Sequence, residues 1–170
     1  MDIRPATDAD IAEAAALFAA ARRGGRFDEW GSVREQGEAD AREDIATDGR
    51  DLWMVHDDAG AVRGWVRCVR TGWTADPERP GHAVEVWRFA LGAFDPALSG
   101  LTFSRLYLGA CRAAAEAHPD AIWEGSVVAG GALDRLWRAR LGDVRTERDE
   151  RGVREAYYRM PGRAFLARFP

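Results

Sequence analysis

The stretch from Ala83 to Val128 constrains the fold more than any other part of the chain. It opens with AVEVWRFALGAF, the longest strand-like run, breaks at Asp95-Pro96 and passes through the small pair Ser99-Gly100. A segment follows that sets Phe103, Leu106, Tyr107, Ala110, Cys111 and Ala114 on one helical face, stops near His118-Pro119, and leads into AIWEGSVV, a further strand. Strand, helix and strand in this order predict a crossover between parallel neighbours of one sheet, and such crossovers are right-handed. A ligand is then expected at the carboxyl ends of these strands.

The flanking segments extend the same plan. Residues 8 to 22 place Ile11, Ala15, Phe18 and Ala19 at helical spacing, with Thr7 and Asp10 arranged like a capping box. GGRFDEWG breaks this helix, and the charge-laced Val33 to Ala46 reads as a second, exposed one. LWMVH and VRGWVRCVR flank the turn Asp57-Asp58-Ala59-Gly60 as a hairpin, and TADPERPGH is a loop. Gly130-Gly131 precedes a short helix with Leu133, Leu136, Trp137 and Leu141, which Gly142 ends. Two strands around Asp149-Glu150-Arg151-Gly152 and the segment AFLARF close the chain. The expected fold is α/β, a single mixed, mostly antiparallel sheet with a central parallel crossover, flanked by helices.

At 170 residues, 46% hydrophobic and 31% charged, the chain suits one domain over residues 1–170. No apolar run approaches the ~20 residues of a membrane helix, and MDIRPATDAD carries acids where a secretory signal carries cations, so a cytoplasmic protein without membrane association is expected. All 24 basic residues are Arg, set against 28 acids, and the net charge of -4 provides no general field for nucleic acid. Cys68 and Cys111 lie in apolar segments without zinc-ligand spacing, so neither a disulfide frame nor a metal is expected.

Three stretches carry a family resemblance. Ile3 to Asp10, Leu91 to Gly100 and Leu136 to Gly142, in this element order, resemble the first strand, the central strand with its pyrophosphate loop, and the late Leu-Gly helix of the GNAT superfamily of acyl-CoA-dependent N-acetyltransferases. The family loop is usually Arg or Gln, two free positions, Gly, one free position, then Gly or Ala. Here Ser99, Thr102 and Ser104 stand at those positions, and Gly100 keeps the glycine-rich character. The loop must present backbone N–H groups at a helix N-terminus to the diphosphate of CoA, which small residues permit.

The resemblance implies acetyl-CoA as cosubstrate and direct acetyl transfer, in a ternary complex, to a small amine or a peptide N-terminus. It assigns the cofactor to Phe94, Ser99, Gly100, Leu101, Thr102, Phe103 and Ser104, with the thioester carbonyl on the Phe94 backbone and a splay between the ends of strands 83–94 and 121–128. Glu85 and Glu124 are the candidate catalytic carboxylates, either of which could instead pair with Arg88 or Arg67. Asp28, Glu29 and Trp30 mark the acceptor site, where the acids could attract an ammonium group. Where the family places a tyrosine acid, this chain has Trp137 or Arg138, and neither releases a proton. Tyr107 falls among the core-facing helical positions, and of Tyr157 and Tyr158 one must face inward. The alternative to an enzyme is a catalytically inactive GNAT-like ligand-sensing or interaction domain. Tyr157, Phe165 and Phe169 offer an apolar seam for a homodimer.

Overall fold

The computed structural model describes residues 2–23, 42–43, 45–141, 145–150 and 153–169. The elements are β1 (Asp2–Pro5), α1 (Ile11–Arg23), β2 (Arg50–His56), β3 (Val62–Ala75), β4 (Ala83–Phe94), α2 (Gly100–Ala117), β5 (Ile122–Val128), α3 (Ala132–Leu141), β6 (Arg145–Glu150), β7 (Val153–Pro161) and α4 (Gly162–Leu166). The strands form one mixed sheet in the order β1-β2-β3-β4-β5-β7-β6. β4 and β5 run parallel, joined by α2, whereas β1–β2, β5–β7 and β6–β7 are antiparallel. This is the expected sheet with its central crossover.

The differences are local. β3 continues to Ala75, past the end expected at Arg70, because Gly72 adopts φ +151, a conformation other residues seldom reach. α2 starts at Gly100, and the closing AFLARF contributes to a short helix. The helix expected over 33–46 lies largely outside the described residues. No helix among the described residues is long and apolar enough to cross a membrane.

The chain divides into two compact units, Met1–Cys68 with Leu91–Ala114, and Val69–Ala90 with Ala115–Pro170. In the first, the apolar stripe of α1 (Ala14, Phe18, Ala21) packs on Leu52, Met54, Trp65 and Ala93. The Trp65 indole donates to the Ala14 carbonyl at 3.0 Å, so the largest side chain of this core also fixes the helix position. The start of the helix is tied by Asp10, whose carboxylate accepts the Thr7 amide (2.7 Å) and two N–H groups of Arg4 (2.8 and 2.9 Å). Those bonds, Arg4 foremost, hold the Asp10 carboxyl well below the usual aspartate range.

In the second unit, Trp87, Phe89, Trp123, Trp137 and Phe165 form an aromatic core, with the Phe89 and Trp123 rings stacked at 4.5 Å. The Phe89 and Trp137 rings meet at 5.6 Å beside Gly125, where a Cβ would lie at ordinary contact, 3.8 Å from each. Asp134, fully buried at the start of α3, is satisfied by the Gly130 amide (2.7 Å), the Tyr158 hydroxyl (2.6 Å) and Arg138 (3.3 Å).

Candidate functional site

In the first unit, β4 ends at Phe94 and a short turn leads into α2. The turn forms because the Asp95 carboxylate accepts the Ala97 amide (2.9 Å) and its carbonyl accepts the Leu98 amide (3.1 Å). Ser99 caps α2: its hydroxyl accepts the Thr102 amide at 3.2 Å and lies 2.9 Å from the Thr102 hydroxyl, while its carbonyl accepts the Phe103 amide. Ser104 donates back to the Gly100 carbonyl at 2.8 Å. Of the amides in this turn, those of Gly100 and Leu101 take no partner among the described residues. A Cβ at Gly100 would meet nothing within 4 Å, and Leu101 is 84% exposed. The helix therefore begins in two outward N–H groups and two hydroxyls, a fit for an anionic phosphate group.

Phe94 itself is buried, its ring edge-on to Phe103 at 5.2 Å and to Tyr107 at 6.0 Å. The ring lies so close to β3 that a Cβ at Gly64 would fall 2.1 Å from its Cδ1. Gly64 thus gives the Phe94 ring room to pack against β3.

In the second unit, one face of the sheet gathers a different set of groups. β4 pairs with β5 from Val86↔Ile122 to Phe89↔Gly125, which puts Arg88 beside Glu124. β7, on the other side of β5, puts Arg159 opposite Glu124 and Tyr157 opposite Ser126. Glu124 is only 4% exposed. Its Oε1 accepts Arg88 Nε (3.0 Å) and Nη2 (2.7 Å), with the Thr71 hydroxyl at 3.4 Å. Its Oε2 accepts the Tyr157 hydroxyl and lies 3.7 Å from Arg159 Nη1. Burial, and then the bond to Glu124, push the Tyr157 hydroxyl above its usual range, so it stays protonated at neutral pH.

Glu85 has a different setting. Its Oε2 accepts the Trp87 indole N–H at 2.9 Å and its Oε1 accepts Arg70 at 3.0 Å. The Trp87 bond and Arg70 lower its pKa, so it is held as a carboxylate. Asp28, Glu29 and Trp30 lie outside the described residues. Tyr158 is the inward tyrosine of β7, and Trp137 is buried. His118 stacks on Trp87 at 4.1 Å. Among the described residues no group of His, Cys, Asp and Glu is placed to hold a metal ion.

The sequence reading anticipated the Arg88–Glu124 pair as one option but gave no part to Arg159 or to Tyr157 in this cluster. The signal available for Tyr157 was strand alternation. Arg159 needed the β5–β7 register, which skips over β6 and has no local trace.

A mixed seven-stranded sheet with a parallel pair at β4 and β5, flanked by helices, is the fold of the GNAT acetyltransferases, and this chain has it. Among solved structures it is similar to the ribosomal-protein-S5-alanine acetyltransferase from Vibrio fischeri, at 10% identity over 94% of this chain and 92% of that one, with a TM-score of 0.65. It is similar to AAC(6')-Ib, solved in complex with paromomycin and acetyl-CoA, at 16% identity over 96% and 94% of the two chains, with a TM-score of 0.64. A GNAT-family acetyltransferase from Streptococcus agalactiae shares 17% identity over 92% of each chain, with a TM-score of 0.61. At these identities the likeness is one of fold. No family model matches the chain, and no curated protein is similar to it in sequence.

Proposed function

We propose that the chain is an acetyl-CoA-dependent N-acetyltransferase that passes the acetyl group directly to the amine of a small molecule or a peptide N-terminus. The observation that carries this reading is the start of α2, where the Gly100 and Leu101 amides are unpartnered among the described residues and the Ser99 and Thr102 hydroxyls sit beside them, on a GNAT fold. Bound acetyl-CoA supplies an activated thioester acyl group. The amides of Gly100 and Leu101 hold its diphosphate, with Ser99, Thr102 and Ser104 lining the turn and Phe94 and Phe103 packed beneath it.

For the amine to attack, it must lose its proton. Glu124 is the carboxylate with a hydroxyl relay: Tyr157 takes the proton of the acceptor's ammonium as it gives its own to Glu124, and when the amine attacks, the thioester C–S bond breaks and the CoA thiolate leaves to be protonated from solvent. Glu85 is tied by Trp87 and Arg70 and binds protons weakly. Asp28, Glu29 and Trp30 stay assigned to the acceptor. One observation favours the second reading, a domain that binds acetyl-CoA without turnover: both carboxylates are engaged by arginines.

The test is thiol release from acetyl-CoA across a panel of primary amines and short peptides. Amine-dependent release supports the enzyme. Stabilisation by acetyl-CoA without release from any amine supports the sensor, and neither response removes both.

A further inference from the structure

We infer that Arg88 and Arg159, converging on buried Glu124, form a subsite for a carboxylate carried by the amine acceptor. The inference rests on the acetyltransferase reading only for the word acceptor; the anion site stands on the geometry of one sheet face. Register places Arg88, Glu124 and Arg159 side by side on β4, β5 and β7, so their side chains emerge from the same face.

Arg88 places both Nε and Nη2 on a single oxygen of Glu124, and Arg159 approaches the other oxygen only to 3.7 Å. Each guanidinium has five N–H donors, and the two side chains remain 45% and 44% exposed although the carboxylate between them is buried. Tyr157 is protonated and adds no charge. Two guanidiniums against one carboxylate leave one positive charge in surplus, fixed beside a buried group.

The other acid on this face of β7, Glu155, lies opposite Val128 and Arg148, four residues and about 13 Å of strand away from Arg159. At that distance it makes no ion pair with Arg159, whose near carboxylate is Glu124. A single negative charge with two acceptor oxygens matches what is left open, and planar guanidinium groups bind carboxylates in forked geometry. A phosphate dianion would overshoot by one charge. The acceptor is therefore an amine of the amino-acid kind, its carboxylate held at Arg88 and Arg159.

The experiment compares matched amines that differ only in a carboxylate or a carboxamide, such as β-alanine with β-alaninamide and α-amino acids with their amides, plus an aminoalkyl phosphate. In acetyl transfer, the carboxylate member of each accepted pair is expected to have a kcat/KM at least about tenfold higher, with the difference in KM. Arg159→Gln brings that ratio down about tenfold, and Arg159→Lys restores part of it. Arg159 is the position of choice because removing Arg88 strips Glu124 of its closest partner. Equal use of amide and acid, preference for the phosphate, or an unchanged ratio in folded Arg159→Gln overturns the subsite.

A second readout needs no turnover: thermal stabilisation of the protein by the same amines without acetyl-CoA. Stabilisation by acids but not amides, lost in Arg159→Gln, with no thiol released from any amine, keeps the subsite and removes the acetyltransferase reading. Acetyl transfer with no discrimination between acid and amide removes the subsite and keeps the enzyme. The absence of both discrimination and stabilisation overturns the subsite as well.

Discussion

Arg88 grips one oxygen of the buried Glu124 carboxylate with two N–H groups, at 2.7 and 3.0 Å, from the neighbouring parallel strand. The bond ties β4 to β5 at the centre of the sheet. Glu124→Gln keeps the shape, removes the charge and leaves two arginines without their counter-ion. We expect a loss of about 2 kcal/mol, read from urea unfolding, since Glu124 is buried and Arg88 half-exposed.

The two adjacent tyrosines of β7 separate structure from site. Tyr158→Phe takes a donor from the fully buried Asp134 and should lower stability by about 1–2 kcal/mol. Tyr157→Phe removes the hydroxyl next to Glu124, on the other face, and is expected to reduce acetyl transfer at least tenfold, a loss in kcat. Paired unfolding and rate measurements on the two variants check the assignment.

Gly64→Ala should destabilise the protein by about 1–3 kcal/mol, because the added methyl group would overlap the Phe94 ring. Phe94→Leu in the same chain should return part of that loss. A double-mutant cycle in denaturant measures the coupling, and additive effects would contradict the contact.

Acid unfolding should report on Asp10. Its pKa is depressed in the folded chain, so the unfolded state binds the proton more tightly. The stabilisation is complete above the ordinary aspartate value of 3.8 and is lost as the pH falls from there toward the folded value. Asp10→Asn is expected to lower stability at pH 7 and to flatten its dependence on pH below about 4. A parallel pH profile for the variant and the parent chain would contradict this.

Much of the fold was legible in local sequence because strands and helices announce themselves by period. The limits of β4, Ala83 to Phe94, match the strand-like run, and Thr7 with Asp10 marks the start of the first helix. β3 was read only as far as Arg70, whereas the strand runs on through Gly72, at positive φ, to Ala75. The start of α2 was also legible, since small residues after a strand are a local signal. The Glu124 cluster was not, because it gathers Thr71, Arg88, Tyr157 and Arg159 from three other strands. Only the sheet order brings them together.

At the start of α2, Gly100→Pro isolates one amide. Gly100 follows the Ser99 cap, at the helix position where proline is best tolerated, so the helix should form as before. The substitution removes the N–H assigned to the diphosphate, and the affinity for acetyl-CoA should fall about tenfold in a calorimetric titration.

The central claim is that this chain binds acetyl-CoA, and thermal unfolding with and without that ligand tests it most directly. At a concentration about 100 times the dissociation constant, the folded state should gain about 2.7 kcal/mol and melt visibly higher. An unchanged melting curve across millimolar acetyl-CoA would contradict the account.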